Sequence, residues 1–141
     1  MHAKKFALVG GWIMLGLGIF ALIPGLSSSA VLLMPIRLNE SYGLFFGLLP
    51  MNILNKAALI ILGVVGLVVS SRESQSIAYA RTVAFITVVL AILGLFSATN
   101  TLGGYWPLYG GEVLFHAVLA AFAVYYGYSL VPSGTPRTHS V

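Results

Sequence analysis

Apolar residues in this chain come in long runs rather than in alternation. One run extends from Phe6 to Ile23 and is closed by Pro24-Gly25, and three more fall at about 50–70, 78–98 and 112–131. None shows the period-2 alternation of a half-buried strand, and apolar runs of this length favour helices. A helix of about 20 residues crosses the ~30 Å hydrocarbon layer of a bilayer. The pattern predicts an all-α integral membrane protein, a four-helix transmembrane bundle forming one domain over residues 1–131. Its spans lie at about 6–26, 50–70, 78–98 and 112–131, and a polar cytoplasmic tail follows at 132–141.

Within the runs, small and polar residues recur at helical spacing. Ala80, Ala84, Thr87, Ala91, Gly94 and Ala98 share one face of span three. Glu112, His116, Ala120, Ala123 and Gly127 share one face of span four, and Asn52, Asn55, Leu59, Gly63, Gly66 and Ser70 do so in span two. In lipid, helices associate through close van der Waals contact at small residues, so these faces are expected to meet protein. The stretch 42–49 before Pro50 is also apolar. It reads either as an interfacial or re-entrant piece, with the crossing helix starting near Pro50, or as part of one helix over about 43–70 kinked at Pro50.

Composition narrows the class. Hydrophobic residues make up 59% of the chain and charged residues 7%, against roughly a quarter charged in a soluble domain, which leaves an integral membrane protein. The formal charge of +4 rests on seven scattered Lys and Arg, so no basic stripe exists for nucleic acid. Lys4, Lys5, Arg72, Arg81 and Arg137 fall on one side of four spans and Arg37 on the other. By the positive-inside rule the termini are expected in the cytoplasm of a bacterial inner membrane. Tyr42, Phe45, Tyr105, Trp106 and Tyr109 would form the outer aromatic belt, with Trp12, Tyr79, Tyr125, Tyr126 and Tyr128 at the inner one. The first run resembles a secretory signal, but its apolar core of about 18 residues exceeds the usual 7–15, which favours a retained span.

Ionisable groups at membrane depth mark candidate functional sites. Spans two and four both begin on the outer side, so Lys56 and Glu112 are expected to pair there, with Asn52, Asn55 and His116 completing a polar cluster. One histidine within the spans, His116, and no cysteine in the chain are too few ligands for zinc or a bis-histidine haem, so no metal site is assigned and the cofactor stays unknown. Two carboxylates for acid–base work are not brought together, and no nucleophile or phosphate-binding signature is present, so catalysis is not expected.

Three segments carry a family resemblance: Ile23-Pro-Gly-Leu26, the run Phe46-Gly-Leu-Leu-Pro-Met-Asn-Ile-Leu-Asn-Lys56 leading to Gly63, and Pro107 followed by Glu112-Val-Leu-Phe-His116. Over about residues 10–128 the chain resembles the bacterial membrane family called domain of unknown function 4383. The resemblance implies a four-span bundle of no established activity, with His-Asn-x-x-His on span two and Asp-Asn-x-x-His on span four. Only His116 carries over intact, with Glu112 in place of Asp, while positions 55, 56 and 59 are Asn, Lys and Leu. Positions 50, 55 and 59 also map onto 107, 112 and 116 at a constant offset of 57, and Gly18-Ile-Phe20 echoes Gly94-Leu-Phe96, which suggests two duplicated helical hairpins. The expected role is a structural or accessory subunit in the lipid bilayer, with other membrane subunits or a second copy as partners. The alternative is a transporter-like or ligand-binding protein using the outer cluster.

Overall fold

The computed structural model describes residues 2–29 and 33–129, so Arg137, the tail at 132–141 and the end of the fourth run lie outside the described residues. Four helices dominate: α1 (His2–Ala21), α2 (Ile53–Val69), α3 (Glu73–Gly94) and α4 (Gly111–Val124), the last continued by a π turn over Tyr125–Ser129. The stretches His2–Ala21, Glu73–Gly94 and Gly111–Tyr128 are long and apolar enough to cross a membrane. α2 is equally apolar but has 17 residues, a rise of about 26 Å. A tight turn joins α2 to α3 at one end of the bundle, and two longer segments join α1 to α2 and α3 to α4 at the other, which is termed the outer end after the orientation expected from charge.

The helix ends differ from the sequence expectation, and the cause is local. The stretch 42–49 is not helical, which removes the long kinked helix. Strands β1 (Ser27–Ser28), β2 (Gly43–Phe45) and β3 (Leu49–Met51) form a small antiparallel sheet at the outer end. Phe46 and Gly47 both take positive φ, as a type I′ reversal requires, and the Leu48 N–H donates to the Phe45 carbonyl at 3.0 Å. Pro50 therefore sits in a strand. The helix instead starts at Ile53, because Asn52 caps it.

The faces chosen by spacing are the buried ones. Ala80, Ala84, Thr87 and Gly94 are buried on α3, and Asn55, Leu59, Gly63 and Gly66 on α2. Ala91 and Ser70 are half-buried, and Ala98 lies exposed beyond the end of α3. The tightest crossing is α1 on α2. A Cβ at Gly11 would lie 2.9 Å from the Gly63 carbonyl oxygen, and one at Gly18 would lie 3.0 Å from the Lys56 carbonyl oxygen. α3 packs on α4, and α1 also touches α3. Two residues expected in the aromatic belts are core instead: Phe45 of β2 and Tyr79 of α3, its hydroxyl donating to the Leu62 carbonyl at 2.8 Å. Trp12 lies halfway along α1, not at either of its ends.

Burial repeats along the chain. Asn55, Leu59, Gly63 and Gly66 of α2 map at an offset of 57 onto Glu112, His116, Ala120 and Ala123 of α4, and all eight are buried. Ala3, Ala7, Gly11 and Gly18 of α1 map at an offset of 76 onto Tyr79, Val83, Thr87 and Gly94 of α3, again all buried.

Candidate functional site

The outer cluster is built around Asn52, which is fully buried. Its Oδ1 accepts from the backbone N–H groups of Leu54 (3.1 Å) and Asn55 (3.4 Å), while Asn55 Oδ1 accepts from the Asn52 N–H at 3.2 Å. This reciprocal cap satisfies donors that a helix start leaves orphaned. The Nδ2 of Asn52 then donates to the carbonyls of Leu38 (3.0 Å) and Tyr105 (2.7 Å), one in each outer segment. Asn55 repeats the motif with Nδ2 donating to the Pro107 carbonyl (3.3 Å) and to Glu112 Oε2 (3.4 Å). Asn55 and Glu112 are the residues related by the offset of 57, and they meet.

Lys56 does not pair with Glu112. Successive residues on a helix point about 100° apart, so Asn55 takes the position facing α4 and Lys56 turns toward the outer segment. Its buried ammonium donates to the carbonyl and the hydroxyl of Ser41, both at 2.7 Å. Ser41 takes positive φ, and no sequence signal marked it. Nearby, the hydroxyls of Tyr42 and Tyr109 hydrogen-bond across the two segments, and partial burial together with that bond raises the Tyr42 pKa above its ordinary value.

Glu112 and His116 lie one turn apart on α4, both buried. His116 Nδ1 is 2.8 Å from the Glu112 carbonyl oxygen, which can only accept, so Nδ1 carries the proton. The same nitrogen is 3.6 Å from Glu112 Oε2. The second carboxylate oxygen, Oε1, has no hydrogen-bond partner among the described residues, and neither does the buried indole Nε1 of Trp106. Both residues line one cavity of about 50 Å³, together with Asn55, His116, Thr87 and apolar side chains of α2, α3 and α4. Sequence reasoning assigned Trp106 to the belt and missed its place at this cavity. Among the described residues no three of His, Cys, Asp and Glu come together to hold a metal ion.

The five expected residues therefore do assemble, but in two parts: Asn52, Asn55, Glu112 and His116 between the hairpins, and Lys56 turned to the outer cap. Long apolar helices closed at one end by a buried polar cluster define a helical membrane protein. The family described as Domain of unknown function (DUF4383) matches residues 4–129, and the chain belongs to it. No curated protein and no solved structure matches the chain.

Proposed function

We propose that the chain is a multi-pass protein of the bacterial inner membrane with both termini cytoplasmic, acting as a structural or accessory subunit of a membrane complex and not as an enzyme. The observation that supports this reading is where the buried donors go. Both N–H bonds of Asn52 and two of the three of Lys56 are taken by the two outer segments themselves. A group already bonded inside the protein is not offered to a substrate, and breaking such a bond leaves a buried polar group unsatisfied at roughly 1–3 kcal/mol. The cluster then works as a latch that closes the outer end, leaving apolar helix faces for lipid and partner subunits.

The experiment compares Lys56→Met and Glu112→Gln in two readouts, thermal stability in mild detergent and solute or proton flux in liposomes. The latch reading expects lower stability for Lys56→Met, no flux signal to lose, and migration of the native protein in an assembly larger than a monomer. Flux in the wild type that either variant abolishes without loss of stability overturns it. One observation favours a second reading, a small-ligand or transporter-like protein: Glu112 Oε1 and Trp106 Nε1 are unpartnered on the same cavity. In that case Glu112→Gln is the variant that abolishes flux.

A further inference from the structure

The outer cluster occupies one end of the bundle. A second feature is an apolar groove of about 500 Å³ between α1 and α4, which reaches from Lys5 and Tyr126 to Phe115 and Leu119 beside the cavity of the cluster. α1 packs along α2 and meets the fourth span mainly at its terminal π turn, so the space above that turn is left open. Phe6 and Met14 form the floor, with Phe6 stacked on Tyr126 at 5.5 Å between ring centroids. Val9, Ile13, Val118 and Phe122 form walls that are about half exposed. At the matching crossing of α3 with α2 the space is filled by Tyr79, bonded to the Leu62 carbonyl. The residue at the corresponding place on α1 is Ala3.

Length and charge say what fits. The groove runs along α1 from Lys5 to Met14 and along α4 from Tyr126 back to Phe115, about 14–16 Å of helix rise. That is about half of the ~30 Å hydrocarbon layer, or one leaflet. A partner transmembrane helix would need the full thickness and a channel about 10 Å wide. An acyl chain needs one leaflet. The single charged residue lining the groove is Lys5, at the end that opens on the membrane surface, and Lys4 is its neighbour in sequence. An ammonium there is placed to meet a phosphate, and a lipid with net negative charge gains more from it than a zwitterionic one.

We propose that this groove is a binding site for one anionic phospholipid of the leaflet adjoining the N-terminus. One acyl chain lies between α1 and α4 and the headgroup phosphate sits at Lys5. The inference needs only a membrane-spanning fold and holds whichever role of the outer cluster is correct.

The full-length protein in mild detergent, examined by native mass spectrometry with added phosphatidylglycerol or phosphatidylcholine, tests it. One phosphatidylglycerol should be retained, severalfold over phosphatidylcholine. Lys5→Gln, a surface change, should bring the two lipids to parity. Gly10→Leu should lower retention of both severalfold by filling the groove, since a Cβ there meets only Met14 Cε at 3.6 Å and the helices need not move. Gly16→Leu, whose Cβ meets only the Phe20 ring at 4.0 Å, should change neither. Equal retention of the two lipids by the wild type overturns the proposal. So does unchanged retention in Gly10→Leu, or a dimer that forms in place of the lipid complex. If Gly10→Leu fails to fold, Val118→Trp on the exposed wall replaces it, with the same expected loss.

Discussion

Asn52 satisfies two demands with one side chain. Its oxygen caps α2 and its nitrogen holds the carbonyls of Leu38 and Tyr105, so both outer segments hang from it. Asn52→Ala removes the cap and strands two carbonyls, a loss of about 3 kcal/mol when the cap and the unmade bonds are combined. Asn52→Asp discriminates between the two demands. Asp caps helices as well as Asn does, yet it has no N–H to give and sets a charge against two carbonyl oxygens. Thermal melts in detergent should show both variants destabilised; if Asp restores wild-type stability, the bridge contributes nothing. The raised pKa of Tyr42 belongs at this scale too. A folded-state pKa above the unfolded one favours the neutral hydroxyl, so the stability it contributes is complete below the ordinary pKa near 10 and is lost as pH rises beyond it. Melting temperature should therefore fall as pH rises above about 10, and fall less in Tyr42→Phe. Burial of Asn52, Asn55, Glu112 and His116 was legible in the sequence, because residues three and four apart must share a face. Their partners were not. Leu38, Ser41, Tyr105 and Pro107 act through irregular backbone that no periodicity describes, so the pattern points Lys56 to Glu112, the one carboxylate within the apolar runs, rather than to Ser41.

At the scale of elements, the fold depends on how closely the helices approach. A Cβ on Gly63 would stand 2.7 Å from Leu15 Cβ and 2.8 Å from the Gly11 carbonyl, nearer than real atoms come. Gly63→Ala must push α1 off α2, and overpacking of this kind costs roughly 1–3 kcal/mol. Gly16 provides the contrast, with open space around it on the same hairpin. There Gly→Ala should stabilise by roughly 0.5–1 kcal/mol, because alanine restricts the unfolded chain and suits a helix interior. Opposite signs for the two substitutions, measured as changes in unfolding midpoint, would identify the α1–α2 crossing as a backbone contact. Equal effects would mean that the helices slide apart at little cost. The small-residue faces were legible from spacing. The helix ends were not, since a capping asparagine and a three-stranded sheet decide where α2 begins, and both rest on contacts remote in sequence. Arg81 shows the same limit: counted as a topology signal, it also donates to the Gly127 carbonyl at 2.9 Å and covers the π turn that ends the fourth span.

For the whole molecule, the recurrence of buried positions at two offsets describes two hairpins of like design, α1–α2 and α3–α4. The offset falls from 76 to 57 because the first outer segment carries β1, β2 and β3 in addition. Both hairpins begin at the same end of the bundle, the arrangement expected of parallel repeats. Asn55 and Glu112 hold equivalent places and bond to each other. Parallel hairpins place every outer segment on one side and the α2–α3 turn on the other. The proposed orientation rests on charge, as Lys4, Lys5, Arg72 and Arg81 share the end opposite Arg37. The absence of cysteine from the sequence makes this directly measurable. A single cysteine at exposed Asn39, in the outer segment, should react with a membrane-impermeant maleimide in intact spheroplasts. One at exposed Ser74, at the start of α3, should react only after the membrane is opened. The reverse pattern would invert the proposed orientation while keeping both hairpins, and labelling of both sites in intact cells would break the parallel arrangement itself.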